Sequence, residues 1–209
     1  MKGILFRPFL VNQINKGVKT QTRRILSPEN VVLGVIEDEE IRNFVIAAHA
    51  QYKKGEVIYI REAFRVPAVL DKVPPSEILE SPVEFKSGGT INCKDKTLRD
   101  PGRWRSPLHL PAHLARYFIK INNVRLEQLS DINDDDCISE GIEITGSDGY
   151  FTYYKIYSDE IPSNSISDPV ISFFTLWNSV HGAGAFSKNP YVFAYDFVKC
   201  DKQGLEVAV

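Results

Sequence analysis

Gly17-Val18-Lys19-Thr20-Gln21-Thr22-Arg23-Arg24 is the stretch on which the reading of this chain turns. Upstream, Phe9, Leu10, Ile14 and Val18 form a rough helical stripe, and Gly17 suits the residue that closes it. Downstream, residues 19–26 read as extended, ending on Ile25 and Leu26. The stretch therefore marks a helix-to-strand junction. It also gathers two hydroxyls, an amine and two guanidiniums into the six residues from Lys19 to Arg24. Arg and Lys grip phosphate, and a Thr hydroxyl beside a Lys becomes a nucleophile if burial strips the Lys of charge. The plainer alternative is a polar edge strand with solvated cations.

Charge around this junction is lopsided. Residues 1–28 hold six Lys and Arg and no Asp or Glu, whereas all 209 residues together are at −2, which leaves −8 on the rest. Any polyanion partner is to be sought near the first segment, because the chain as a whole has no basic field. Hydrophobic residues at 43% and charged ones at 25% are ordinary for a globular domain. Cys93, Cys137 and Cys200 are too scattered for a disulfide framework or a CxxC knuckle, so reduced thiols and a cytoplasmic location are expected. The N-terminus lacks a signal-peptide core, and no apolar run approaches a membrane span.

Working outward, Gly3–Phe6, Val57–Ile60, Arg116–Leu126 and Tyr191–Val198 read as strands. Asn133 caps a helix that opens on Asp134, Asp135 and Asp136 and closes at Gly141. Asp168-Pro169 starts a second helix, running to about Val180 and stopped by Gly182. Polar stretches at about 27–54, 67–110 and 145–168 exceed ordinary connections and read as insertions around one core. The expected fold is a single α+β domain, richer in strands than in helices.

Three further groups bear chemistry. Glu140 sits at the negative end of its helix, where a carboxylate is disfavoured by ~0.3–1 kcal/mol. That misplacement would raise its pKa and suit a general base, unless the group is simply solvated. Lys94, Lys96, Arg99, Arg103 and Arg105 surround Trp104 in a Gly/Pro loop. Such a loop grips phosphate and stacks a base, or else Trp104 plugs the core beneath it. His109 and His113 are separated by Pro111 and have no third ligand nearby, so zinc is not expected. No P-loop, GxGxxG or GxSxG appears, and no cofactor is expected.

The order of these pieces resembles the ASCH domains of the PUA-like superfamily. Gly17-x-Lys19-Thr20-x-Thr22-Arg23-Arg24 is similar to their GxKxxTxR-type signature. Gly55-Glu56-Val57-x-Tyr59-x-Arg61-Glu62 follows, then Arg116 before a long strand, then Leu129–Ile132 through Ser139-Glu140-Gly141, and last Phe174-x-Leu176-Trp177. The stretch from Gly102 to Pro111 resembles longer members common in bacteriophage and prophage genomes. The resemblance implies a partly open β-barrel flanked by helices, with a basic cleft beside residues 19–24. It implies binding of RNA, single-stranded nucleic acid or a modified nucleoside, and for some members amidohydrolase action on acylated cytidine, for others ribonuclease action. The catalytic positions carried over are Lys19, Thr22 and Glu140. The expected nucleic-acid contacts are Arg23, Arg24, Arg61, Arg103, Trp104 and Arg105. The rival expectation is a protein-interaction module, with Val31, Val32, Leu33, Val35 and Phe44 as a contact patch.

Overall fold

In the computed structural model, residues 1–27, 38–93, 95–159 and 161–207 are described. Along the chain come β1 (Gly3–Leu5), α1 (Pro8–Asn15), β2 (Gln21–Ile25), α2 (Glu39–His49), β3 (Val57–Arg61), β4 (Phe64–Arg65), β5 (Val83–Phe85) and β6 (Thr90–Ile91). There follow β7 (Phe118–Gln128), α3 (Asp134–Ser139), β8 (Ile144–Ser147), β9 (Thr152–Lys155), β10 (Ser165–Ile166), α4 (Pro169–His181) and β11 (Tyr191–Cys200). The mixture is α+β. Among the described residues no sheet closes into a barrel.

The chain divides into two compact units, and β7 and β11 each begin in one and end in the other. The first unit holds Met1–Gly17, Glu56–Lys120 and Val198–Val209. In it β1 runs parallel to β3, with Gly3 opposite Tyr59, and β3 pairs antiparallel with the start of β7. A second sheet takes the order β4-β5-β6. Phe64, Val66, Val83, Phe85, Leu110 and Leu114 fill its core. The β-branched and aromatic members among them, Phe64, Val66, Val83 and Phe85, are what a pleated, covered surface selects. Beneath them Glu62, 4% exposed, accepts from Arg116 through both carboxylate oxygens at 2.7 and 3.0 Å, while the Arg116 guanidinium lies over the Phe85 ring at 4.3 Å.

The second unit holds Val18–Gly55 and Ile121–Phe197. Here β7, β11 and β2 are neighbours in that order, with β11 antiparallel to β2 and Tyr195 opposite Thr22. Helix α4 begins as its sequence dictates: the Asp168 carboxylate accepts from the amides of Val170 and Ile171, and Gly182 at φ 100 ends it. It buries Phe173, Leu176 and Trp177. The third sheet, β10-β9-β8, leaves all four residues of β8 exposed at its edge. Thr145 is an extra residue there, since Ile144 pairs with Tyr154 and Gly146 with Tyr153.

The polar stretches are more structured than connections. Residues 39–49 form α2, where Asp38 accepts from the amides of Glu40 and Ile41. Residues 67–110 hold β5 and β6, and 145–168 complete the β8–β10 sheet. Among the described residues no helix is long and apolar enough to cross a membrane.

Candidate functional site

The entry to β2 is held on both sides by backbone. Thr20 donates its amide to Ser139 at 2.9 Å, and Phe197 donates to Thr20 at 2.8 Å. Lys19, just before them, turns inward and is 2% exposed. Its Nζ donates to Glu140 Oε2 at 2.8 Å, to the Glu140 carbonyl at 2.7 Å and to the Gln21 carbonyl at 2.6 Å. Glu140 is the residue after α3, and Gly141 at φ 87 turns the chain away from it. The ammonium thus answers two needs of a helix end: an orphan carbonyl and the negative pole. A carboxylate that looks misplaced in the sequence is compensated by a lysine from far along the chain.

Arg23 completes the cluster. Its guanidinium reaches Glu140 Oε1 at 3.2 Å, Asp136 Oδ2 at 2.6 Å and Glu127 Oε1 at 2.7 Å. Gln21 bridges Asp136 and Asp196 through its amide nitrogen at 2.9 and 2.7 Å. Arg125 joins Asp136 and Asp196, each at 3.0 Å. Burial pulls Lys19 below its ordinary pKa, against the opposing pull of Glu140. Burial acts on Arg23 in the same sense, but Glu140, Glu127 and Asp136 together hold it above its ordinary value. For Asp136, burial alone would raise the carboxyl; the Gln21 hydrogen bond, Arg23 and Arg125 override it and bring the pKa down.

Thr22 is 4% exposed. Strand alternation puts it on the face of β2 opposite Gln21 and Arg23. Its hydroxyl has no hydrogen-bond partner among the described residues. The Lys19 ammonium nevertheless sits on the carbonyl of Gln21, the peptide that leads into Thr22. Lys19 and Glu140 are therefore in contact, with Thr22 one peptide away and not hydrogen-bonded to either.

The cations expected to hold phosphate fare differently. Arg23, 3% exposed and shared among three carboxylates, is not a surface phosphate contact in this structure. Arg24 is half-buried, and burial lowers its pKa. Cations 19–24 do not form an open basic surface: Lys19 and Arg23 are buried against Glu140, Asp136 and Glu127, and Arg24 is half-buried. In the other unit, the Arg61 guanidinium lies over Tyr59 at 5.6 Å and against Gly3, where a Cβ would overlap it. Arg105 is buried, donating to the carbonyls of Leu70 at 2.6 Å and Val73 at 2.9 Å. Arg103 is exposed. Trp104 does not plug the core: it is 41% exposed, with the Arg65 guanidinium 4.5 Å from its ring centre.

Lys94, Val31, Val32, Leu33 and Val35 lie outside the described residues, and Phe44, on α2, is exposed. Gln21, Glu127, Arg125 and Asp196 are site residues that sequence reasoning missed. Their one local signal is polarity at alternate positions of strands otherwise rich in apolar residues. No protein-family model, curated protein or solved structure matches this chain.

Proposed function

We propose that this protein engages a modified nucleoside, free or within RNA or single-stranded nucleic acid, and hydrolyses an amide on its base with Lys19 and Glu140 as the proton-handling pair. The observation that carries this reading is the buried Lys19–Glu140 contact at 2.8 Å, beside the peptide of Thr22. Buried ionisable groups in direct contact concentrate at reactive sites. The assignment to ASCH, PUA-like proteins is part of the same proposal and rests on the order of the sequence blocks.

The chemistry follows from what each group can do. Thr22 Oγ attacks the acyl carbon, and its proton passes to the Glu140 carboxylate, which the Lys19 ammonium holds in place. The tetrahedral oxyanion collapses, the C–N bond breaks, and the departing exocyclic nitrogen takes the proton back. Water then cleaves the Thr22 ester through the same pair and releases the acid. For the first transfer the Thr22 hydroxyl must come within about 2.6–3.2 Å of its base, which takes a backbone shift at the entry to β2, since a χ1 rotation keeps the hydroxyl on its own face of the strand.

Incubation with acylated cytidine tests this. Wild-type protein is expected to release the acyl group, Thr22→Ser to retain turnover, and the isosteric Thr22→Val to lose roughly 10²-fold or more. Absence of turnover, or Thr22→Val as active as wild type, overturns the reading. The rival, a host-protein-binding module without catalysis, is favoured if a lysate pull-down recovers one protein that survives nuclease treatment.

A further inference from the structure

Glycine at position 102 brings a loop onto an edge. Its amide donates to the Val66 carbonyl at 2.8 Å, and a Cβ there would fall 2.9 Å from that oxygen and overlap Asp71. Arg105 then pairs with Phe64 of β4 in both directions, at 2.7 and 3.3 Å. These contacts leave a cavity of about 460 Å³ between residues 71–75 and 103–106, with His109 on its rim. That volume falls within the ~300–1,000 Å³ of small-molecule sites.

Cations outnumber acids in the lining. Lys72, Arg103 and Arg105 face a single carboxylate, Asp71, and both Asp71 oxygens already accept from the Arg103 amide at 3.1 Å. Lys72 is exposed and has no ion-pair partner among the described residues. Arg105 is the unusual member. It is 8% exposed, makes no ion pair among the described residues, and its Nε has no acceptor there. Asp71 attracts this guanidinium without pairing with it, and a buried guanidinium lacking a direct ion pair is costly unless an anion completes it. Beside these cations stands the Trp104 indole, fixed by Arg65 and partly open. A flat aromatic ring next to convergent cations fits a ligand that is itself a flat ring carrying an anion.

We infer that this cavity binds a nucleobase bearing a phosphomonoester, with the phosphate on Lys72, Arg103 and Arg105 and the base on Trp104. The cations converge on one pocket rather than following a groove, so the ligand is one nucleotide: free, or at the phosphorylated end of a strand. The site lies wholly in the first unit and does not depend on the chemistry proposed for Lys19 and Glu140.

Trp104 is one of two tryptophans, and the other, Trp177, is buried in α4, so fluorescence reads the site directly. Titration with adenosine monophosphate is expected to give saturable quenching that Trp104→Phe abolishes and Lys72→Ala weakens roughly tenfold. Adenosine is expected to bind at least tenfold more weakly, and inorganic phosphate to compete without quenching. A 5′-phosphorylated oligonucleotide that competes places the site at strand ends as well, whereas competition by the free mononucleotide alone confines it to free nucleotides. Equal affinity for adenosine and its monophosphate, unphosphorylated strands that bind as tightly as phosphorylated ones, or no quenching at millimolar ligand would each overturn the inference. Because binding is read without turnover, failure of acylated-cytidine hydrolysis leaves these results unaffected.

Discussion

Lys19 and Glu140 stand 121 residues apart in sequence and 2.8 Å apart in space, both almost wholly withdrawn from water. Their dependence on one another is unequal. Glu140 has a second cation in Arg23, whereas the other acceptors of the Lys19 ammonium are carbonyls. Glu140→Gln is therefore expected to cost more than Lys19→Met, about 3–5 kcal/mol at neutral pH by urea denaturation. The sign with pH follows from Lys19. Its folded pKa lies below the ordinary 10.5, so between the two values the unfolded chain binds more protons and stability rises with pH. Glu140→Gln should regain part of its loss as pH climbs toward 10.5, and Lys19→Met should show no regain.

Asp136 behaves oppositely at the acid end. Gln21, Arg23 and Arg125 hold its folded carboxyl below the ordinary 3.8. Its contribution to stability is complete above that value and disappears as pH falls through the folded pKa. Asp136→Asn is expected to be less stable than wild type near pH 7 and to lose less of its stability on acidification. Parallel acid-side slopes from thermal melts of the two proteins would count against the ion network as the cause.

Cysteine reactivity offers a check that needs no ligand. Burial pushes the Cys137 thiol up to about 12 and the Cys200 thiol up to about 11, while Cys93 is half-buried near the surface. At pH 8 a thiol of pKa about 12 is ionised to only about one part in 10⁴. Native alkylation followed by intact mass measurement should add one group, at Cys93, and unfolding should expose all three. Rapid modification of Cys137 in the folded protein would show that α3 is open.

Local grammar in the sequence was enough for much of the frame. Asp168-Pro169 and Gly182 bound α4 because capping is a matter of neighbouring residues, and Asn133 accepts from the Asp136 amide at 2.9 Å for the same reason. Helix α2 goes unread, because residues 27–54 look like one polar insertion; its signals are Asp38 before Glu39 and Glu40 and the spacing of Ile41, Phe44 and Val45. What the sequence withholds is the fate of a charge run. Lys19, Arg23 and Arg24 look solvated because no acid lies near them in sequence. The counter-charges of Lys19 and Arg23 arrive from β7, from α3 and from Glu140 just after it, and only the fold decides that Arg23 is enclosed and Trp104 is not. The triple aspartate shows the same limit: helix-start preference accounts for its presence, yet Asp136 also takes Arg23 and Arg125.

The surplus Thr145 bears on how this protein tolerates crowding with its own copies. A short, uncharged edge strand with every residue exposed is a template on which further chains could zip, backbone to backbone. The extra residue breaks the even spacing of the β8 ladder, so an incoming strand finds its donors and acceptors out of step after one residue. At this edge, resistance to strand-wise pairing thus rests on a single extra position, and deleting it would lengthen the adhesive edge without touching either site.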